Sequence, residues 1–380
     1  RNGIFGDAHS LVNVSKSNLA VLLMRKGEFE RSESLLREAA EAFRKNKRHD
    51  RDFADILANL AGILLSKGDF KGADALFREE LSLRRSLPGD NEADIARIVH
   101  NQGGVLLERG DFGGAEAHFR ETLEIRRKVL GDDHPDTAST LSVLANTLSK
   151  LGKNEEAVMM CREVLTINRR LLGAEHPQVA VNMHNLAAAL LTRGEYKEAE
   201  SLLRESLDIQ RKVWKNKHPQ IARSLNALAI LMFRQERLNE AEIALRDALA
   251  ISQEVFAEGH PDVAFYQATL ARVLVSKEAY GEAEQLINEA LAFQRKTFGN
   301  SSPDVAETLR TLGSLHVHRE DYGQAATALR ECLEIFRAAL PEGHNAILNT
   351  QRDLGIVLTK SQQFEEAEKL LLDTYASQGS

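Results

Sequence analysis

Five histidines recur at one place in a repeating pattern: His134, His176, His218, His260 and His344. Regularly spaced imidazoles could gather a metal ion, so the question is whether they can converge. Neighbouring copies lie 42 residues apart (176 − 134 = 42). If each copy is a helical pair, equivalent residues sit two helices apart. Packed helices stand ~8–10 Å from one another, whereas ligands to one zinc must each come within ~2 Å of it. The histidines are therefore read as connector residues just ahead of a helix, with no metal and no cofactor expected. His316 and His318 form an H-x-H, but on a helix these point to different faces, one to the core and one to a groove.

Catalytic patterns fare no better. His318-Arg319-Glu320-Asp321 has letters in common with a kinase catalytic loop, yet it spans a turn and lacks the following asparagine. The chain has no phosphate loop, G-x-G-x-x-G or H-E-x-x-H, and no Ser–His–Asp set can be assembled from the repeat. Catalysis is not expected. The two cysteines, Cys161 and Cys332, fall on helices four repeats apart, too far for a disulfide. They are expected to be reduced and buried, as in a cytoplasmic protein. Neither a signal peptide nor an apolar run of ~20 residues is evident, so no membrane span is expected.

The elements that position these residues follow from the repeat. Setting the small residue of a recurrent Leu-Ala pair as position eight, nine copies read Ala20, Ala61, Gly103, Ala145, Ala187, Ala229, Ala271, Gly313 and Gly355. Position eleven is Leu in seven copies, Met232 in the sixth and His316 in the eighth. Apolar residues at i, i+1 and i+4 make one stripe of a helix, helix A. A turn follows at Gly27, Gly68, Gly110, Gly152 and Gly194, where a helix end needs positive φ. In later copies that glycine becomes Glu236, Glu278, Glu320 and Gln362, and those turns are expected to be less ideal. Helix B carries a small residue (Ala73 and its equivalents to Ala367) and a bulky one four later (Leu36, Phe77, Phe119 and onwards), so the two axes can approach closely. Connectors such as LGDDHPDTA (Leu130–Ala138) place proline at the first position of the next helix A, where it costs no hydrogen bond. The first connector, NKRHDRDFA, has lost both Gly and Pro.

The chain is thus expected to be all-α, a single array over 1–380 of about nine helix–turn–helix repeats. Repeat cores lie near 13–42, 54–83, 96–125, 138–167, 180–209, 222–251, 264–293, 306–335 and 348–377. Residues 1–9 read as the end of a preceding helix and its connector, so the parent chain is expected to continue upstream. A length of 380 residues needs no division into globular domains when each repeat packs only on its neighbours. The net charge of −7 disfavours nucleic acid and anionic membrane as partners.

With small residues at positions eight and twenty and G-[DE]-[FY]-x-x-A between them, the unit resembles the tetratricopeptide repeat. The 42-residue period and LG-x-x-HP connector resemble its kinesin-light-chain-like subclass. This resemblance implies a right-handed α-solenoid, with helices A lining a concave groove that binds peptides. The ending is similar to that of bacterial serine/threonine protein kinases carrying such arrays, through Leu340, Pro341, Gly343, His344, Glu366, Ala367, Glu368, Leu370 to Leu372 and Tyr375.

Positions two, five, six, nine and thirteen of helix A should face the groove. Position six is Asn in four of the first five copies: Asn18, Asn59, Asn101 and Asn185. An amide both donates and accepts, which suits the backbone of an extended peptide, and tetratricopeptide clamps place Asn at that same position. Inward cations are Arg97 and Lys150 early, then Arg223, Arg234, Arg272, Arg310 and Arg352, with Phe265 as an apolar contact. A basic wall in an acidic chain points to an extended, acidic segment of a protein partner. The open alternatives are a solvated polar wall, a regulatory or substrate-recruiting region of a larger kinase, and self-association through the C-terminal helix.

Overall fold

The computed structural model describes residues 10–89, 91–215, 217–256, 259–340 and 342–378. The stretch 1–9, read above as the end of a preceding helix, and Pro341 of the last connector lie outside the described residues. Among these there are eighteen α-helices and no strand. The chain divides into two compact units, one ending at Arg193 and one beginning at Gly194.

The first unit holds α1 (Ser10–Arg25), α2 (Phe29–Lys45), α3 (Arg51–Ser66), α4 (Phe70–Ser86), α5 (Glu92–Glu108), α6 (Phe112–Leu130), α7 (Pro135–Lys150), α8 (Asn154–Leu172) and α9 (Pro177–Arg193). The second holds α10 (Tyr196–Trp214), α11 (Pro219–Arg234), α12 (Leu238–Val255), α13 (Pro261–Ser276), α14 (Tyr280–Phe298), α15 (Pro303–His318), α16 (Tyr322–Ala339), α17 (Asn345–Lys360) and α18 (Phe364–Gln378). Odd-numbered helices are A helices and even-numbered ones B helices. Within each unit A packs on its own B, B packs on the next A, and some A helices meet directly, as α1 meets α3 and α13 meets α15. Each unit is an all-α solenoid. No helix among the described residues is long and apolar enough to cross a membrane.

Within each unit the A–B turn has one geometry. In the first repeat the N–H of Glu28 donates to the Leu23 carbonyl five residues back at 2.9 Å, closing the helix end. The equivalent bonds from Asp69, Asp111, Lys153, Arg237, Ala279, Asp321 and Gln363 span 2.8 to 2.9 Å. The left-handed residue just before each donor is glycine early, with φ of 73° to 80°. Glu236, Glu278, Glu320 and Gln362 occupy the same region at φ 59° to 61°. The turns without glycine therefore keep every hydrogen bond. Their departure from ideality is steric, because a Cβ in the left-handed region crowds the following carbonyl.

Entry into helix A follows one pattern at most connectors, the exception being α5, where Asn91 makes no cap bond and its amide donates back to the Arg84, Leu87 and Gly89 carbonyls. Each connector histidine uses Nδ1 to accept the backbone N–H two residues on, of Asp136, Gln178, Gln220, Asp262 and Ala346, at 3.1 to 3.2 Å. Each imidazole therefore carries its proton on Nε2 and caps its helix. In the seventh connector Ser302 Oγ makes the same bond to Asp304 N at 3.2 Å. The divergent first connector substitutes Asp50, whose carboxylate accepts from Phe53 N at 3.1 Å.

Position eight is where A and B touch. A Cβ built on Gly103 would stand 2.8 Å from the Phe119 ring, and one on Gly313 2.8 Å from Leu329. Ser32 takes the alanine place of α2, and its buried hydroxyl donates to the Ala20 carbonyl at 2.6 Å. Cys161 and Cys332 are buried free thiols, pushed up to about 11 and about 12 by burial.

The B-helix side is tied across repeats by ion pairs near one period apart. Arg295 meets Glu331 at 2.7 Å, Arg330 meets Glu366 at 2.6 Å, and Arg246 meets Glu282 at 2.7 Å. A basic residue near the A–B turn returns to the preceding B helix, as Lys153 does to Glu116 at 2.8 Å and Arg319 to Glu284 at 2.9 Å.

Candidate binding sites on the helix-A face

Two cavities of about 460 Å³ open on the A helices, one in each unit. The first draws Val14, Ser17 and Asn18 from α1, Asp55, Ala58 and Asn59 from α3, and Arg97 from α5. These are positions two, five and six of successive A helices. Asn59 Nδ2 donates to Ser17 Oγ at 3.2 Å. Among the described residues no side-chain hydrogen bond engages the Asn18 amide, which stands exposed.

The charge of this first cavity is acidic. Asp52, Asp55 and Asp94 line it, and its one cation, Arg97, is held by Glu80 at 2.5 Å. Glu80 is fully buried on α4. Burial raises its carboxyl above the ordinary range, and the Arg97 guanidinium opposes that rise. Beside it the buried Arg84 binds Asp55 and reaches Asp94 at 3.1 Å. Sequence reasoning counted Arg97 as a groove cation and missed Glu80 and Arg84. Their signal was present: Leu76, Phe77, Glu80, Leu83 and Arg84 follow the helical period, so two charges fall on an apolar stripe. His100, at position five of α5, is held half-buried edge-on to Phe119 with centroids 5.3 Å apart. Its Nδ1 has no hydrogen-bond partner among the described residues, and burial, then Arg126, depress its pKa to about 4.

The second cavity has the opposite character. Arg272 of α13 and Arg310 of α15 face it, together with Phe233, Val317, Ile356 and Val357. The Arg272 guanidinium lies 5.3 Å from the centre of the Phe233 ring, a cation–π arrangement. Its Nε is buried without a hydrogen-bond partner, and no carboxylate of the described residues lies within 4 Å of it. Burial first, then the neighbouring Arg310, lowers its pKa. Arg310 itself donates to Glu307 at 2.6 Å. Asp353 on the same wall pairs with Arg352 at 3.4 Å. A desolvated guanidinium without a carboxylate partner, on a wall of mixed apolar and polar side chains, favours an anion over a cation beside it.

The remaining sequence-predicted residues stand apart from both cavity walls. Asn101 is half-buried, and Asn185, Lys150, Arg223 and Arg234 are exposed. Phe265 is 46% exposed and packs edge-on to Tyr266. Among the described residues no group of three or more His, Cys, Asp or Glu side chains could hold a metal.

The tetratricopeptide repeat profile matches residues 11–86, 94–166, 144–212, 220–296, 267–338 and 304–378. No curated protein matches the sequence. Among solved structures, the chain is similar to BtubC (BKLC) from P. vanneervenii, at 26% identity over 60% of this chain and 91% of that one, with a TM-score of 0.49. A putative kinesin light chain with nearly identical repeats from Podospora anserina is similar at 27% identity, over 55% of this chain and 99% of that one, with a TM-score of 0.48. The apo quorum sensor NprR from B. thuringiensis shares the fold at 12% identity, over 96% of this chain and 98% of that one, with a TM-score of 0.65.

Proposed function

The chain belongs to the tetratricopeptide repeat family, with repeats of the kinesin-light-chain-like kind, and from that premise we propose that it is a non-enzymatic scaffold holding an extended, acidic segment of a protein partner. Protein interaction is what such repeats imply. The acidic character rests on one observation, the unpaired guanidinium of Arg272 on the second cavity. Arg234 and Arg223, on the same unit's A helices, likewise have no carboxylate of the described residues within 4 Å, whereas Arg246, Arg295 and Arg330 on the B side are all paired. Cations left without partners on one face raise the encounter rate with acidic segments and select their carboxylates. Asn18, Asn101 and Asn185 supply side-chain amides, free among the described residues, for a peptide backbone.

The test is titration of fluorescent nonapeptide libraries, one rich in Asp and Glu and one rich in Lys, against the whole chain. The acidic library should bind more tightly, and Arg234→Glu should weaken it. Equal binding of the two libraries sinks the reading.

A second reading has its own observation. On α18 Phe364 and Leu372 are each 60% exposed and Tyr375 79% exposed, an apolar surface that supports self-association. Light scattering should then show a concentration-dependent mass that deletion of 364–380 abolishes. An unchanged mass removes this reading.

A further inference from the structure

Arg272 and Arg310 of the second cavity, together with the exposed Arg234 outside its wall, follow a rule that differs from the repeat. Arg234, Arg272 and Arg310 are separated by 38 residues each (272 − 234 and 310 − 272), four short of the 42-residue period. On successive A helices, α11, α13 and α15, they therefore step back by about one helical turn per repeat, forming a diagonal across the face. They are close enough to repel: Arg310 and Arg234 both act against the charge on Arg272. Glu307 partly supports the charge on Arg272, but it and Asp353 of the wall each hold a closer partner. Glu307 is hydrogen-bonded to Arg310 and Asp353 is paired with Arg352. Arg310 with Glu307, and Arg352 with Asp353, each sum to zero. Arg272 and Arg234 leave two positive charges uncompensated.

A carboxylate would neutralise one of these charges and present two oxygens. A phosphate monoester carries nearly two negative charges at neutral pH and three acceptor oxygens, enough to meet two guanidinium forks at once. We propose that the second cavity receives a phosphorylated serine or threonine side chain of the extended partner segment, with an adjacent apolar residue against Val317, Ile356 and Val357. This rests on the acidic-groove reading and narrows it, making phosphorylation of the partner the switch for binding. Phe233, beneath Arg272, holds the guanidinium plane in place as the anion enters.

The experiment compares three fluorescent peptide libraries with degenerate flanks and a central phosphoserine, glutamate or serine, titrated against the whole chain by anisotropy. The phosphoserine library should bind roughly tenfold more tightly than the glutamate library, since two charges are met instead of one. Arg272→Met, which keeps the packing on Phe233, should reduce phosphoserine binding to the level of serine. Arg234→Ala, at an exposed site, should cost several-fold and serves if the Met variant fails to fold, which circular dichroism reports. If glutamate binds as well as phosphoserine, the phosphate inference is overturned while the acidic groove stands. If no library binds better than serine, both fall. If inorganic phosphate at equal concentration displaces the phosphoserine library fully, the cavity is a simple anion hole and the phosphopeptide inference is overturned.

Discussion

Replacing Glu236, Glu278, Glu320 and Gln362 together by glycine tests the account of the turns. All four hold φ near 60° in the left-handed region while keeping the hydrogen bonds of the glycine turns. A side chain there costs roughly 1–2 kcal/mol relative to glycine. Glycine returns about 0.5–1 kcal/mol of that through its greater freedom in the unfolded chain. The net gain is then about 0.5–1 kcal/mol per site. The sites belong to separate turns one period apart, so their effects should add, to about 2–4 kcal/mol for the quadruple variant. Because repeat arrays can open locally, the urea midpoint by circular dichroism should be joined by hydrogen exchange at the turn donors. Those are the amides of Arg237, Ala279, Asp321 and Gln363, and their protection should rise. An unchanged midpoint with unchanged protection would show that these turns carry no strain. Gly68→Glu and Gly110→Glu should show the reverse, a loss of similar size per site.

Three further outcomes follow from the packing. Gly103→Ala should destabilise by about 1–3 kcal/mol, because its Cβ meets the Phe119 ring; adding Phe119→Leu should recover most of the loss in a urea titration, as Ala229 already tolerates Leu245. His134→Ala should cost about 1 kcal/mol through loss of the cap, and His134→Ser should be close to neutral, since Ser302 already fills that role. His100 is held down at about 4, so above pH 6.5 both folded and unfolded chains carry it neutral. As pH falls from 6.5 towards 4 the unfolded chain takes up a proton that the folded chain refuses, and stability drops by at most about 2 kcal/mol after solvent screening. The urea midpoint of His100→Leu should fall less over that window, and an identical decline would refute the assignment.

Much of the fold was legible because a 42-residue period marks itself nine times. The Leu-Ala stripe, the glycine turns and the proline starts each carry a local physical reason. What escaped notice had a weak residue signature, or, like Glu80 and Arg84 on an apolar stripe, one that was passed over. At Glu236 and its equivalents, a conformation usually marked by glycine is imposed by the flanking hydrogen bonds. The cap role of His134 hid behind a residue type less familiar there than serine or aspartate, although Ser302 in the same register pointed to it. The cavity walls were half legible. Their positions two, five, six and nine were expected, but the commitment of Arg97 to Glu80 and the isolation of Arg272 depend on side chains from other helices, which a one-helix register does not contain.

The ion pairs along the B helices bear on how the gene can change length. Replication slippage in such a gene adds or removes whole repeats, so the reading frame and helical register survive. The cross-ties need not. Removing the repeat that contains Glu282 brings Arg246 opposite Gln324 (282 + 42), and that tie is lost. These adjacent joints alternate between two ties: Arg246 with Glu282, then Arg295 with Glu331, then Arg330 with Glu366, which repeats the first, two periods on (330 − 246 = 84 and 366 − 282 = 84). At the Arg246 joint a repeat therefore fits its own neighbour better than it fits the next but one, whereas for Arg295 the sequence register supplies Asp373 (331 + 42) in place of Glu331. Part of the order of the copies is thus written into their charges, and an array shortened at the Arg246 joint inherits a mismatched seam.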